Sequence, residues 1–134
     1  MDIDGFKSVN DRYGHAVGDM LLQSIGKRMK QCIRELDTIA RIGGDEFVAI
    51  LPIANDAKEA ISIAETLRQS IEEPFAIENL ALKVSASIGV AVYPDGGLDT
   101  QTLQVNADHA MYQAKSRGGN AVALHEVGIT DKLI

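Results

Sequence analysis

The sequence predicts an α+β fold, a mainly antiparallel sheet with helices packed around it. Three observations carry that expectation. Two apolar, β-prone runs, 38–42 and 47–51, are joined through Gly43-Gly44. That pattern reads as a hairpin, because a tight turn needs the positive φ that glycine takes cheaply. Apolar residues recur at helical spacing in three separate stretches. Val84, Ala86, Ile88, Val90 and Val92 alternate with Ser85, Ser87, Gly89 and Ala91, which is the period of a strand. Elements of both kinds interleaved along 134 residues fit one domain.

Taken in order, an extended Asp2-Ile3-Asp4 puts its two acids on one side, with Asp2 toward the hairpin tip. Phe6 and Val9 are core candidates. Asn10 and Asp19 flank a glycine-punctuated turn, Tyr13-Gly14-His15, and Asp19 is a fair N-cap for the helix that follows. That helix runs from 19 to about 34, with Met20 or Leu21, Leu22, Ile25, Met29, Cys32 and Ile33 on its apolar stripe. Arg34-Glu35-Leu36-Asp37 ends it, and Arg34 and Asp37 are spaced as an ion pair. Pro52 ends the second hairpin strand. Asn55 or Asp56 caps a helix bearing Ala57, Ala60, Ile61, Ala64, Leu67 and Ile71, which Pro74 stops. Residues 75–77 and 80–93, with a turn at Asn79, read as an antiparallel pair. Pro94-Asp95-Gly96-Gly97 is a loop. Thr100 or Thr102 opens a third helix, with Leu103, Ala107, Ala110, Met111 and Ala114 inward. Gly118-Gly119 ends it before a last strand, 120–124.

Composition narrows the function classes. The net charge of −6, with 4% aromatic residues and no Trp, provides neither a phosphate-neutralising surface nor stacking rings, so a nucleic-acid polymer is not the expected partner. An acidic chain still binds a nucleotide when a metal ion supplies the positive charge. The single Cys32 cannot form an internal disulfide and fits a reducing cytoplasm. No apolar run is long enough to span a bilayer, so no membrane contact by this domain is expected.

The chemistry centres on Arg41-Ile42-Gly43-Gly44-Asp45-Glu46-Phe47. Gly43 and Gly44 leave a phosphate unobstructed, and the acids beside them suit a cation carried with it. An amide and a carboxylate held together, Asn10 and Asp19, suit a guanine edge, whose ring N–H and amino groups donate. The heptapeptide resembles the signature of the GGDEF family, the diguanylate cyclases. Asp2-Ile3-Asp4-Gly5-Phe6-Lys7, Asn10-Asp11, Gly14-His15 and Gly18-Asp19 are similar to the family's upstream block. Met111-Tyr112-Gln113-Ala114-Lys115 and Gly119-Asn120 are similar to its downstream block. The agreement runs over about residues 2 to 124 in order, which is far more specific than one short pattern.

The resemblance implies a nucleotidyl-cyclase fold, ferredoxin-like and related to polymerase palms. It implies a diguanylate cyclase that condenses two GTP into cyclic di-GMP and two pyrophosphates, as a homodimer with Mg²⁺ or Mn²⁺. Asp2, Asp45 and the backbone carbonyl of Ile3 would hold the metal. Asp45 would also accept the proton, with Glu46 as a second carboxylate. Lys7 would stabilise charge on the phosphates. Asn10 and Asp19 would hold guanine, Gly43 and Gly44 would admit the phosphates, and Lys115 would hold the terminal phosphate. Arg34 and Asp37 resemble the family's inhibitory site for the product. An upstream sensory or dimerising domain is the implied partner. In the family the aspartate matching Asp2 ends a central strand, so that first strand is expected to be largely missing here. The domain is expected over residues 1–125, truncated at its N-terminus, with 126–134 a tail or linker. Two departures stand out. Gly119 and Thr66 occupy positions where the family often carries arginine, which puts a phosphate contact and the tightness of product inhibition in question. The alternative reading is an inactive GGDEF-like module that binds GTP or cyclic di-GMP.

Overall fold

The computed structural model describes residues 1–52, 54 and 56–126. Its elements are β1 (Asp2–Asp4), α1 (Phe6–Tyr13), α2 (His15–Lys30), β2 (Thr38–Gly43), β3 (Glu46–Ile50), α3 (Ala57–Glu72), β4 (Phe75–Ile77), β5 (Leu80–Leu82), β6 (Ser85–Val90), α4 (Thr100–Ser116) and β7 (Ala121–Leu124). Five strands form one sheet in the order β2-β3-β1-β6-β7. All neighbours are antiparallel except β6 and β7, which are parallel and joined through α4. A parallel pair needs such a crossover, because its strands start at the same end. The strands β4 and β5 make a separate two-stranded ribbon.

The expected α+β architecture is present, and four local expectations change. The stretch before Asp19 is helical. α1 buries Phe6 and Val9, three apart on one face. α2 starts at His15, with Gly14 at its N-cap, and ends at Lys30. Asp19 therefore lies inside α2 and is not its cap. Two glycines with positive φ, Gly5 and Gly14, bracket α1 and hid it, because glycine reads first as a turn. The run 80–93 is two strands in different sheets, divided before Ser85. The cap of α4 is Asp99, which accepts from the Thr102 N–H at 2.7 Å. Asp56 caps α3 by accepting from the Glu59 N–H, while Asn55 lies outside the described residues. Of the segment 126–134, all but Glu126 also lies outside them.

The central strand is present as the three residues of β1. Ile3 is 1% exposed and enters a core with Phe6, Leu21, Ile25, Met29, Phe47, Leu67, Ile71, Phe75, Ala86 and Ile88. These side chains come from α1, α2, α3, β4 and one face of the five-stranded sheet. The other face of the sheet carries α4, whose Ala110 and Ala114 meet Ala123 of β7. Arg28 of α2 ties the helices together. It donates to the Ser70, Glu73 and Pro74 carbonyls at 3.0, 2.6 and 2.8 Å and lies 3.5 Å over the Phe75 ring. It thereby satisfies carbonyls left open at the end of α3.

α4 can approach the sheet because Gly89 has no side chain. A Cβ there would overlap the backbone of Ala107 and Met111. Gly89→Ala is expected to cost about 1–3 kcal/mol by pushing the helix outward. Urea denaturation measures this. An unchanged midpoint would mean that α4 does not bear on β6 at that point.

Candidate active site

Strand alternation assigns the faces of β1. Ile3 goes to the core, and Asp2 and Asp4 go to the face that carries α4. On that face Asp2 stands opposite Glu46 of β3 on one side and Ser87 of β6 on the other. The hairpin tip is fastened to β1 through backbone. The Met1 N–H donates to the Phe47 carbonyl at 2.8 Å, the Phe47 N–H to Met1 at 2.9 Å, and the Ile3 N–H to the Asp45 carbonyl at 3.2 Å. The structure thus brings Asp2, Ile3, Asp45 and Glu46 together from two ends of a 45-residue interval of sequence. In a strand, the N–H and C=O of one residue face the same neighbour, so the Ile3 carbonyl also faces the tip.

The tip is open. Gly44 takes φ +47°, and a Cβ on either Gly43 or Gly44 would meet no atom within 4 Å. The Arg41 Nε donates to the Gly44 carbonyl at 2.7 Å and braces the turn from behind. Asp45 and Glu46 are both half-buried.

Asp4 is a site residue that the sequence reasoning missed. Its Oδ1 accepts from Ser87 Oγ at 2.8 Å, and its Oδ2 accepts from Ser85 Oγ at 2.8 Å and from the Asn120 N–H at 2.9 Å. Two pairs at i, i+2, Asp2 with Asp4 and Ser85 with Ser87, placed all four on one face of their strands. Only the register of β1 against β6 made them partners. Asn120 has φ +50°, and its Oδ1 accepts from Arg68 Nη1 at 2.9 Å. Gly119, with φ +74°, lies so close that a Cβ would sit 3.0 Å from the Asp4 carboxylate. Glycine at this departure from the family pattern therefore suits both the backbone and the neighbour. Lys115, from the last turn of α4, reaches the same carboxylates. Its Nζ is 3.1 Å from Asp2 Oδ2 and 3.9 Å from Asp4 Oδ1.

Lys7 is exposed on the first turn of α1. Asn10 and Asp19 sit on α1 and α2, which pack against each other. Asn10 Oδ1 lies against Gly18, where a Cβ would overlap it, and Asp19 is the next residue. That amide oxygen is buried and receives no hydrogen bond from the protein. Such a group is costly unless a donor arrives from elsewhere.

Arg34 and Asp37 form a closed unit between α2 and β2. Asp37 accepts from Arg34 Nε at 3.0 Å, from Arg34 Nη2 at 3.2 Å and from the Arg34 backbone N–H at 3.0 Å. Arg34 Nη1 also donates to Glu59 Oε1 on α3 at 2.7 Å. The Asp37 side chain is fully buried. Thr66 instead donates to the Ser62 carbonyl of its own helix.

Among the described residues, no group of three or more His, Cys, Asp or Glu side chains is placed to hold a metal ion. What the tip offers is Asp2, Asp45 and the Ile3 carbonyl, an oxygen-only set. Such a set fits a hard divalent cation whose shell is completed by phosphate oxygens and water. Among the described residues, no helix is long and apolar enough to cross a membrane.

Residues 1–121 match the family model described as "Diguanylate cyclase, GGDEF domain". The chain is 46% identical over 126 residues to the bifunctional diguanylate cyclase/cyclic di-GMP phosphodiesterase MucR of Pseudomonas aeruginosa, covering 94% of this chain and 18% of MucR. It spans about a third or less of the length of the curated relatives it matches. Its fold is similar to the GGDEF domain of TpbB from P. aeruginosa, with a TM-score of 0.91 and 37% identity over 95% of this chain and 80% of that one. It is also similar to the GGDEF domain of DgcB from Caulobacter crescentus, solved in complex with c-di-GMP. There the TM-score is 0.81 and the identity 28%, over 92% of this chain and 74% of that one.

The hydrogen bonds from Arg34 hold the Asp37 carboxyl below its ordinary value of 3.8, against the opposing effect of burial. A carboxyl with a depressed folded pKa adds stability that is present above about pH 4 and is lost as pH falls through the folded value. Asp37→Asn is therefore expected to lower the urea midpoint at neutral pH and to flatten the loss of stability as the pH falls below about 4. Equal acid slopes in the two proteins would remove this pair from the account.

Proposed function

The chain belongs to the GGDEF diguanylate cyclase domain family, and from that premise we propose that it condenses two GTP molecules into cyclic di-GMP and two pyrophosphates. The observation that carries this reading is the backbone fastening of the hairpin tip to β1, which sets Asp2 opposite Glu46 with Asp45 alongside. A divalent cation, Mg²⁺ or Mn²⁺, bound by Asp2, Asp45 and the Ile3 carbonyl would supply charge neutralisation for the triphosphate and a lower pKa for the attacking hydroxyl.

In this reading the ribose 3′-hydroxyl of one GTP attacks the α-phosphorus of the other. An O–P bond forms, the α–β bridging P–O bond breaks, and pyrophosphate leaves. Asp45 accepts the hydroxyl proton, with Glu46 as the second carboxylate beside it. The same step with the roles exchanged closes the ring. Asn10 and Asp19 bind guanine, and the unpartnered Asn10 amide oxygen supports a ligand in that place. Lys7 and Lys115 bind phosphate, and Gly43 and Gly44 leave room for it. Arg34 and Asp37 are the inhibitory site for the product. There the ligand must draw the Arg34 fork away from Glu59. We assign the reaction to the cytoplasm, a reading supported by a single cysteine that forms no internal disulfide.

One domain offers one triphosphate site, while the reaction joins two nucleotides. Two copies must therefore face each other, with an upstream sensory or dimerising domain as the natural control. Incubation with GTP and Mg²⁺, read by chromatography, is expected to yield cyclic di-GMP. Asp45→Asn should lose on the order of 100-fold or more, and Arg34→Ala should keep the activity. Binding of GTP without product in the dimeric protein would leave a regulatory binding module. The rate is expected to rise more steeply than linearly with protein concentration until the dimer predominates. Strict linearity with monomer throughout would contradict the two-copy requirement.

A further inference from the structure

Lys115 has a contact that phosphate binding does not use. Its ammonium lies between two acids, 3.1 Å from Asp2 Oδ2 and 3.9 Å from Asp4 Oδ1. The two acids are not equivalent. Asp4 is taken up by Ser85, Ser87 and the Asn120 N–H. Asp2 accepts from Lys115. The Lys115 side chain is 37% exposed and stands on the last turn of α4, so it can leave Asp2 without disturbing the core.

We propose that Lys115 is the resident counter-ion of Asp2, held there by Asp4, and that Asp2 takes a divalent cation only when a triphosphate offers Lys115 another anion. This rests on the cyclase reading above and adds an order of events to it. With Lys115 in place, a bare dication approaching Asp2 meets a positive charge at hydrogen-bond distance from the same carboxylate. Like charges that close disfavour joint occupancy strongly where water is partly excluded. A metal–triphosphate complex reverses the balance. Its terminal phosphate draws the ammonium away and frees Asp2 at the moment the cation arrives. Asp4 keeps its three other donors throughout, so it positions the lysine and does not ligate the metal. The device keeps the acidic face neutralised between turnovers and ties metal loading to nucleotide loading.

The test is Mn²⁺ titration of the protein without nucleotide, followed by the spectrum of free Mn²⁺, for the wild type, Lys115→Met and Lys115→Arg. Removing one unit charge beside the site is expected to tighten Mn²⁺ binding by about tenfold in Lys115→Met. Lys115→Arg keeps the charge and should stay as weak as the wild type, which separates counter-ion from packing. Thermal melts followed by circular dichroism confirm that each variant is folded. Unchanged or weaker Mn²⁺ binding in folded Lys115→Met overturns the proposal and leaves the cyclase reading standing. A repeat titration with a non-hydrolysable GTP analogue distinguishes the other failure. If none of the three proteins retains Mn²⁺ even then, both the counter-ion role and the metal-dependent reading are overturned.

Discussion

The site depends on the register of one three-residue strand. β1 is held on both sides, by the Met1, Ile3, Asp45 and Phe47 backbone on the β3 side and by three residue pairs on the β6 side. Ile3 alone buries its side chain, which contributes roughly 1.5–3 kcal/mol. A slip of one residue would turn Ile3 outward and drive Asp2 and Asp4 into the apolar core. Burying two unpaired carboxylates costs far more than the strand's few hydrogen bonds return. The pleat therefore aims both acids at α4, and the hairpin tip follows because it is bonded to the same strand.

Charge on that face is divided between two kinds of acid. Asp4 is saturated by neutral donors, two hydroxyls and one backbone N–H, and needs no cation to be stable. Asp2 is paired with Lys115, whose side chain is partly exposed. The left-handed residues after α4 make this possible. Gly119 and Asn120 turn the chain sharply enough to point an amide into Asp4, and Arg68 holds Asn120 from behind with Glu65 and Glu72 around it. A rigid acid beside an exchangeable one is what a site needs if it is to bind and release a cation without losing its shape.

α3 touches both candidate sites. Near its start, Glu59 takes one arm of the Arg34 guanidinium, and further along Arg68 reaches Asn120 and so the partner of Asp4. Arg28 anchors the far end of the same helix through three carbonyls. The Arg34 and Asp37 unit is built from bidentate, charge-assisted bonds, which are stronger than neutral ones and fix the fork's plane. It stands preformed, with its aspartate buried and the remaining arm of the guanidinium held by Glu59.

The sequence by itself determined whatever depends on neighbours along the chain. The glycine hairpin, the apolar stripes of α2, α3 and α4, the alternation of β6 and the ordered motifs were legible because turn chemistry and periodicity are local. It misjudged α1 and the start of α2, where positive-φ glycines that cap helices look like loop. It also merged β5 with β6, because alternation continues across a break that only the second sheet reveals. Tertiary structure alone decided the pairings. That Asp4 is a hydrogen-bond hub, that Asp2 stands opposite Glu46, and that Lys115 sits on Asp2 across 113 residues follow from strand register and from the close approach of α4 at Gly89. No local pattern encodes those contacts, because each partner satisfies its own element's period equally well without the other.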